Sequence, residues 1–189
     1  MKKKLISLTA ALLAFILLLT GCAGTEKAPQ LNIDDYFALS QNEDNTYSYT
    51  LKDKNGSVLL ERTNEPQRPS TFLHNASVLG ATAQNSATLS SKWAVFWDVE
   101  NSQCSKIFFY YLGAKDARVV YAEYCAGEHF IIVEDMFDAD TYYSKYKIKN
   151  VSNVLDFAVG CRFDDAGHAI VTYLSGENHM QTEFIIDLT

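Results

Sequence analysis

Val119-Val-Tyr-Ala-Glu-Tyr124, then His129-Phe-Ile-Ile-Val-Glu-Asp135, then Tyr143-Ser-Lys-Tyr-Lys-Ile148: the reading of these three runs decides the fold. In the first, Val120, Ala122 and Tyr124 share one side and Glu123 takes the other, a period of two that belongs to a strand and not to a helix. The middle run is continuously apolar from Phe130 to Val133, as expected of a strand covered on both faces. Cys125-Ala-Gly127-Glu128 carries the turn residues between them. The expectation is an antiparallel three-stranded unit with its middle strand the most buried.

The same order of runs occurs twice more. Upstream it reads Val78-Leu-Gly-Ala-Thr-Ala83, Trp93-Ala-Val-Phe-Trp-Asp-Val99 and Lys106-Ile-Phe-Phe109. Downstream it reads Ala158-Val-Gly-Cys-Arg-Phe163, His168-Ala-Ile-Val-Thr-Tyr-Leu174 and Glu183-Phe-Ile-Ile-Asp-Leu188. Here Val159, Cys161 and Phe163 would share the inward side and Arg162 the outward one. A self-similar period of about 40 residues marks a repeat architecture. Such units resemble β-propeller blades, although they lack a signature such as a Trp-Asp repeat with its His partner. Ahead of them, Tyr47-Ser-Tyr-Thr-Leu-Lys-Asp53, Asn55-Gly56 and Val58-Leu-Leu60 make a hairpin signal. Three units and a hairpin are too few for a closed ring. A mainly β fold is therefore expected, propeller-like but incomplete, with a β-sandwich as the alternative. Glu65-Pro66-Gln67-Arg68-Pro69-Ser70 reads as a connection, and Asn32 would cap a short helix over Ile33 to Leu39.

The N-terminus reads as an address. Lys2, Lys3 and Lys4 precede an apolar run through Leu12-Leu-Ala-Phe-Ile-Leu-Leu-Leu19, the pattern of a secretory signal. A membrane span needs roughly 20 apolar residues, more than this run offers. Leu19-Thr20-Gly21-Cys22 resembles the bacterial lipobox. That resemblance implies a lipoprotein whose signal peptide is residues 1–21. It further implies that Cys22 becomes a diacylglyceryl-bearing N-terminus on the extracytoplasmic side of the cell membrane. Two acyl chains give stable anchoring where one is marginal. Residues 22–32, with Pro29 among small and polar residues, read as a flexible tether, and residues 33–189 as one β-rich domain.

At 48% hydrophobic and 13% aromatic residues the chain can build a core. Sixteen lysines and arginines less the three at the N-terminus leave 13 against 23 acids, a net charge of −10 for the remainder. That balance excludes nucleic acid as a partner, which calls for a basic patch, and opposes a domain lying flat on an anionic membrane. Cys104, Cys125 and Cys161 permit at most one disulfide.

Candidate chemistry is sparse. Trp93 and Trp97 share a strand face with Val95; two indoles could stack on a sugar or peptide, or fill an inter-sheet core. Asp98 and Glu134 occupy equivalent ends of the middle strands. They could line a rim where paired carboxylates hydrolyse a glycosidic bond, or each could close a hairpin. Asp135, Asp138 and Asp140 have oxygens for calcium, but Met136 and Phe137 interrupt the loop, no Gly is present, and capping of a turn is the other reading. His129 and His168 begin equivalent strands without metal-ligand spacing. No cofactor motif is present. The sequence thus favours a lipid-anchored envelope module that binds a protein or glycan partner. The alternatives are a structural subunit lending an edge strand and a hydrolase of envelope polymers.

Overall fold

A computed structural model describes residues 31–84, 92–151 and 158–188, grouped in one compact unit that begins at Leu31. The signal segment, the lipobox Cys22, the tether as far as residue 30 and the side chain of Val159 lie outside the described residues.

Four antiparallel sheets follow one another along the chain. The first holds β1 (Phe37–Gln41), β2 (Tyr47–Lys52) and β3 (Val58–Glu65) in that order. The second holds β4 (Ser70–Leu73), β5 (Val78–Ala83), β6 (Trp93–Asp98) and β7 (Gln103–Cys104), with β8 (Phe108–Phe109) also on β6. The third is ordered β12 (Tyr143–Ile148), β11 (Glu128–Asp135), β10 (Arg118–Cys125), β9 (Tyr111–Lys115). The fourth is β13 (Ala158–Phe163), β14 (His168–Ser175) and β15 (Met180–Asp187). This is the mainly β, propeller-like but incomplete array of small sheets that the repeat predicts.

Each sheet buries its face on the next. Tyr49 and Leu51 of β2 pack with Leu79, Ala81, Trp93, Val95 and Trp97 between the first two sheets. Ala94, Phe96 and Phe108 meet Val119 and Met136 between the second and third. Val120, Ala122, Ile131 and Val133 meet Ala169, Val171 and Ile186 between the third and fourth. The middle strands sit where the pattern places them: all six residues of β6 are buried, and Ile132 and Val171 are fully buried.

Two expectations change. The predicted helix over Ile33 to Leu39 is a single 3₁₀ turn, Ile33–Asp35, followed by β1. The Asn32 side chain makes no cap hydrogen bond, and Phe37 and Leu39 alternate onto the first core, a burial that overrides the local helix signal. β10 does not alternate cleanly, because Val119 and Val120 are both fully buried. An extra strand, β9, makes β10 interior to its sheet, and the two faces are covered by different neighbours: Val119 packs with Phe96 and Phe108 of the second sheet, and Val120 with Ala169 and Val171 of the fourth. β4 likewise makes β5 interior to its sheet, and a β-carbon on Gly80 would lie 2.3 Å from the ring of Phe72, its partner across the pair. Gly113 of β9 gives Phe163 of β13 the same close approach, 2.9 Å from where its β-carbon would be.

Candidate functional site

The residues singled out in the sequence are mostly engaged within the fold. Trp93 and Trp97 do share a face, and it is turned onto the first sheet: Trp93 stacks on Tyr49 at 5.8 Å, and Trp97 on Phe37 at 6.3 Å. A sugar or peptide needs an open indole face, and Trp97 has no exposed surface. Asp98 closes the β6–β7 turn, its Oδ1 accepting the amides of Glu100 and Asn101 at 2.9 and 3.1 Å and its Oδ2 the Asn101 amide nitrogen at 2.8 Å. Asp135 Oδ1 caps the turn at Phe137 and Asp138 while its Oδ2 meets Arg118 at 3.0 Å. Asp138 Oδ1 accepts the Asp140 amide and its Oδ2 the Thr141 hydroxyl. Asp140 donates its amide to that turn.

Glu134 differs from these. It is 2% exposed, pairs with Lys106 Nζ at 2.7 Å, and accepts the Tyr121 hydroxyl at 2.8 Å. Burial, reinforced by that hydrogen bond to Glu134, pushes the Tyr121 hydroxyl far above its ordinary range. The group is an inter-sheet clasp, since Lys106 enters from the second sheet's side and Tyr121 and Glu134 from the third. Asp98 and Glu134 each hold their own partners and do not form the shared rim that paired-carboxylate hydrolysis requires.

His129 is buried against the Tyr124 ring, and His168 Nδ1 lies 2.9 Å from Asp164 Oδ2. Among the described residues no three His, Cys, Asp or Glu side chains are placed to hold a metal ion. Cys104, Cys125 and Cys161 are free thiols.

The uncommitted polar groups gather elsewhere. Where the first sheet meets the start of the second, a cavity of about 710 Å³ opens. The 3₁₀ turn and β1 contribute Asp34, Phe37 and Leu39; the connection and β4 contribute Arg68, Ser70 and Thr71. A second cavity of about 260 Å³ adjoins it through Leu39 and Arg68 and adds Gln41 and Tyr47. The local sequence explains the position of Arg68. Pro69 follows it and disfavours a helical backbone there, and the chain bends at Pro66 and Gln67 just before it, so Arg68 sits in an irregular connection at the cavity wall.

Arg68 is the one arginine without an acidic partner among the described residues. Arg62 holds Glu65, Arg118 holds Asp135 and Arg162 holds Glu183. The Asp34 carboxylate likewise has no hydrogen bond or ion pair among the described residues, and both side chains belong to exposed residues. Opposite charges thus line one cavity without closing on each other. Neither residue stood out in the sequence. They are 34 positions apart, in no motif, and the one available signal was an arginine set between two prolines.

No protein-family model matches the chain, and no curated protein matches it either.

Proposed function

We propose that this chain is a lipid-anchored, extracytoplasmic module of a bacterial cell envelope that binds a partner and does no chemistry on it. The lipobox reading supplies the anchor. The observation that carries the binding role is the groove between Asp34 and Arg68, where charged groups with no partner among the described residues line an open cavity. The candidate catalytic carboxylates Asp98 and Glu134, in contrast, are already engaged in a turn and in the Lys106 clasp. The partner is a protein or a glycan of the envelope.

The test is cross-linking and co-purification of the full-length protein from membranes, beside fatty-acid labelling of wild type and Cys22→Ser. Wild type should incorporate label and retain a defined envelope partner; Cys22→Ser should incorporate none. Release of soluble fragments from envelope polymers by the purified protein would overturn the binding reading, and acylation of Cys22→Ser would overturn the anchor.

A second reading, a subunit that adds a strand to an assembly, draws on β15. Three other edge strands are guarded in the ways that prevent strand addition. β3 has two register breaks, β7 is two residues long, and β12 carries Lys145 and Lys147. β15 pairs with β14 in unbroken register over eight residues and has no Lys, Arg or Pro. Under this reading Ile185→Lys, not a change at Arg68, would lose the retained partner.

A further inference from the structure

We propose that the groove at the first sheet binds a small zwitterion of the amino-acid class, with its carboxylate on Arg68 and its ammonium on Asp34. The proposal rests on the binding role above and gives it a ligand chemistry. Four observations converge on it. The cavity is large enough for a small ligand: about 710 Å³ lies within the range of such sites. Its two charged groups are of opposite sign, and neither has a partner among the described residues. They do not neutralise each other, since no ion pair joins them within the roughly 4 Å that defines one. A ligand carrying both charges can therefore span a gap that the protein leaves open.

The rest of the lining fits the same class. A guanidinium presents a planar fork of donors that matches a carboxylate in bidentate fashion. Asp34 would repel a polyanion from this wall, which disfavours a phosphate-rich ligand, and would accept from an ammonium. Ser70 and Thr71 offer hydroxyls beside the guanidinium, while Phe37 and Leu39 give an apolar wall for a side chain. The adjoining cavity at Gln41 and Tyr47 extends past Arg68, giving room for a longer ligand. The shared chemistry, a carboxylate and an ammonium on one molecule, can come from free amino acids or from the ends of a short peptide.

Calorimetric titration of the full-length protein in detergent tests this, using alanine, leucine, trialanine, and the N-acetyl and C-amide derivatives of each. Binding of at least one parent zwitterion is expected, with each blocked derivative at least tenfold weaker. Preference for alanine and leucine over trialanine assigns the site to free amino acids, and the reverse to peptide ends. Arg68→Gln should abolish discrimination between a parent and its amide, and Asp34→Asn that between a parent and its N-acetyl form. Both residues are exposed, so thermal melts of the variants should match wild type and separate lost binding from lost folding. Absence of binding by every parent, or binding of blocked forms as tight as that of the parents, would overturn the proposal. If that happened while a partner still co-purified from membranes, the zwitterion would fall and the binding role would stand.

Discussion

β6 faces two seams, and the two are built differently. Toward the first sheet it presents Trp93, Val95 and Trp97, which meet Tyr49, Leu51 and Phe37 in a stack of rings. This seam holds the Tyr49 hydroxyl and the Trp97 Nε1 buried with no hydrogen-bond partner among the described residues. Toward the third sheet β6 presents Phe96, which meets Phe72, Phe108 and Tyr111 edge-on, and beside it runs the Lys106–Glu134–Tyr121 clasp. The interior of the first seam is held by shape and apolar area, and polar contacts are confined to one end of it, where Ser102 donates to Asp53 Oδ2 at 2.8 Å, the Lys54 amide to the Val99 carbonyl at 3.0 Å, and Lys54 Nζ pairs with Glu100 at 2.7 Å. The second places a charged group around a buried carboxylate, whose bonds require one alignment of the two sheets. A buried polar group is harmless only when it is satisfied, so the same kind of substitution should have opposite consequences in the two seams.

The largest effect expected is at Phe96. It is fully buried, and Phe96→Ala removes a ring that four aromatic or imidazole neighbours touch. A loss of about 3–5 kcal/mol in a denaturant melt is expected. A loss below about 1 kcal/mol would mean that the seam between the second and third sheets contributes little.

Next comes the clasp. Lys106→Met leaves the buried Glu134 carboxylate with only Tyr121, and breaking a buried pair costs about 3–5 kcal/mol. Because Lys106 is itself 53% exposed, water can reach the vacated end of the pair, and the lower end of that range is expected. The double variant Lys106→Met with Glu134→Leu should recover most of the loss. Failure to recover would show that packing, not charge, governs this position.

The sharpest comparison is between two tyrosines. Tyr121→Phe removes a donor to a buried carboxylate and should destabilise by about 1.5–3 kcal/mol. Tyr49→Phe removes a hydroxyl that has no partner among the described residues, so it should be neutral within about 0.5 kcal/mol or stabilising. Equal losses in parallel thermal melts would erase the distinction drawn between the seams.

Thiol chemistry extends the comparison to smaller effects. Burial pushes the Cys104 and Cys161 thiols up to about 11, whereas Cys125 is exposed. The thiolate is the reactive form. Iodoacetamide should therefore modify Cys125 first at pH 8, with labelling of the other two rising about tenfold per pH unit until pH nears 11. Mass spectrometry of the native protein reads this directly. The smallest effects belong to the exposed pairs: Glu123→Ala and Arg162→Ala should each shift stability by about 0.5 kcal/mol, and a larger loss at either would mean the alternating register is off by one.

The repeat was legible from Val78 onward because each middle strand is apolar on both faces and flanked by turn residues. The 47–60 hairpin was legible in Asn55-Gly56, where Gly56 takes a φ of 80°. β4 and β9 were not, being four and five residues long, too short for alternation to stand out. β1 misled because Asn32 reads as an N-cap; its side chain makes no cap hydrogen bond, and packing of Phe37 against Trp97 decides for a strand. The Asp34–Arg68 groove left only the arginine set between two prolines in the sequence: its charges are defined by lacking partners among the described residues, which three-dimensional contacts reveal and sequence does not.

The pairing order carries one more consequence, for how the chain acquires its structure. In every sheet each strand bonds to strands of the same short stretch of chain. Local pairing of this kind lowers the loop-closure entropy that must be overcome before contacts form, and such topologies fold quickly for β proteins. A chain released from its N-terminal end could complete the first sheet while the fourth had yet to emerge. Each new sheet would then dock on a surface already formed, and the third sheet's face of Val120, Ala122, Ile131 and Val133 would be the last to leave water. The vulnerable interval in the life of this protein is therefore the wait for β13–β15, when that apolar face is open to any other chain nearby.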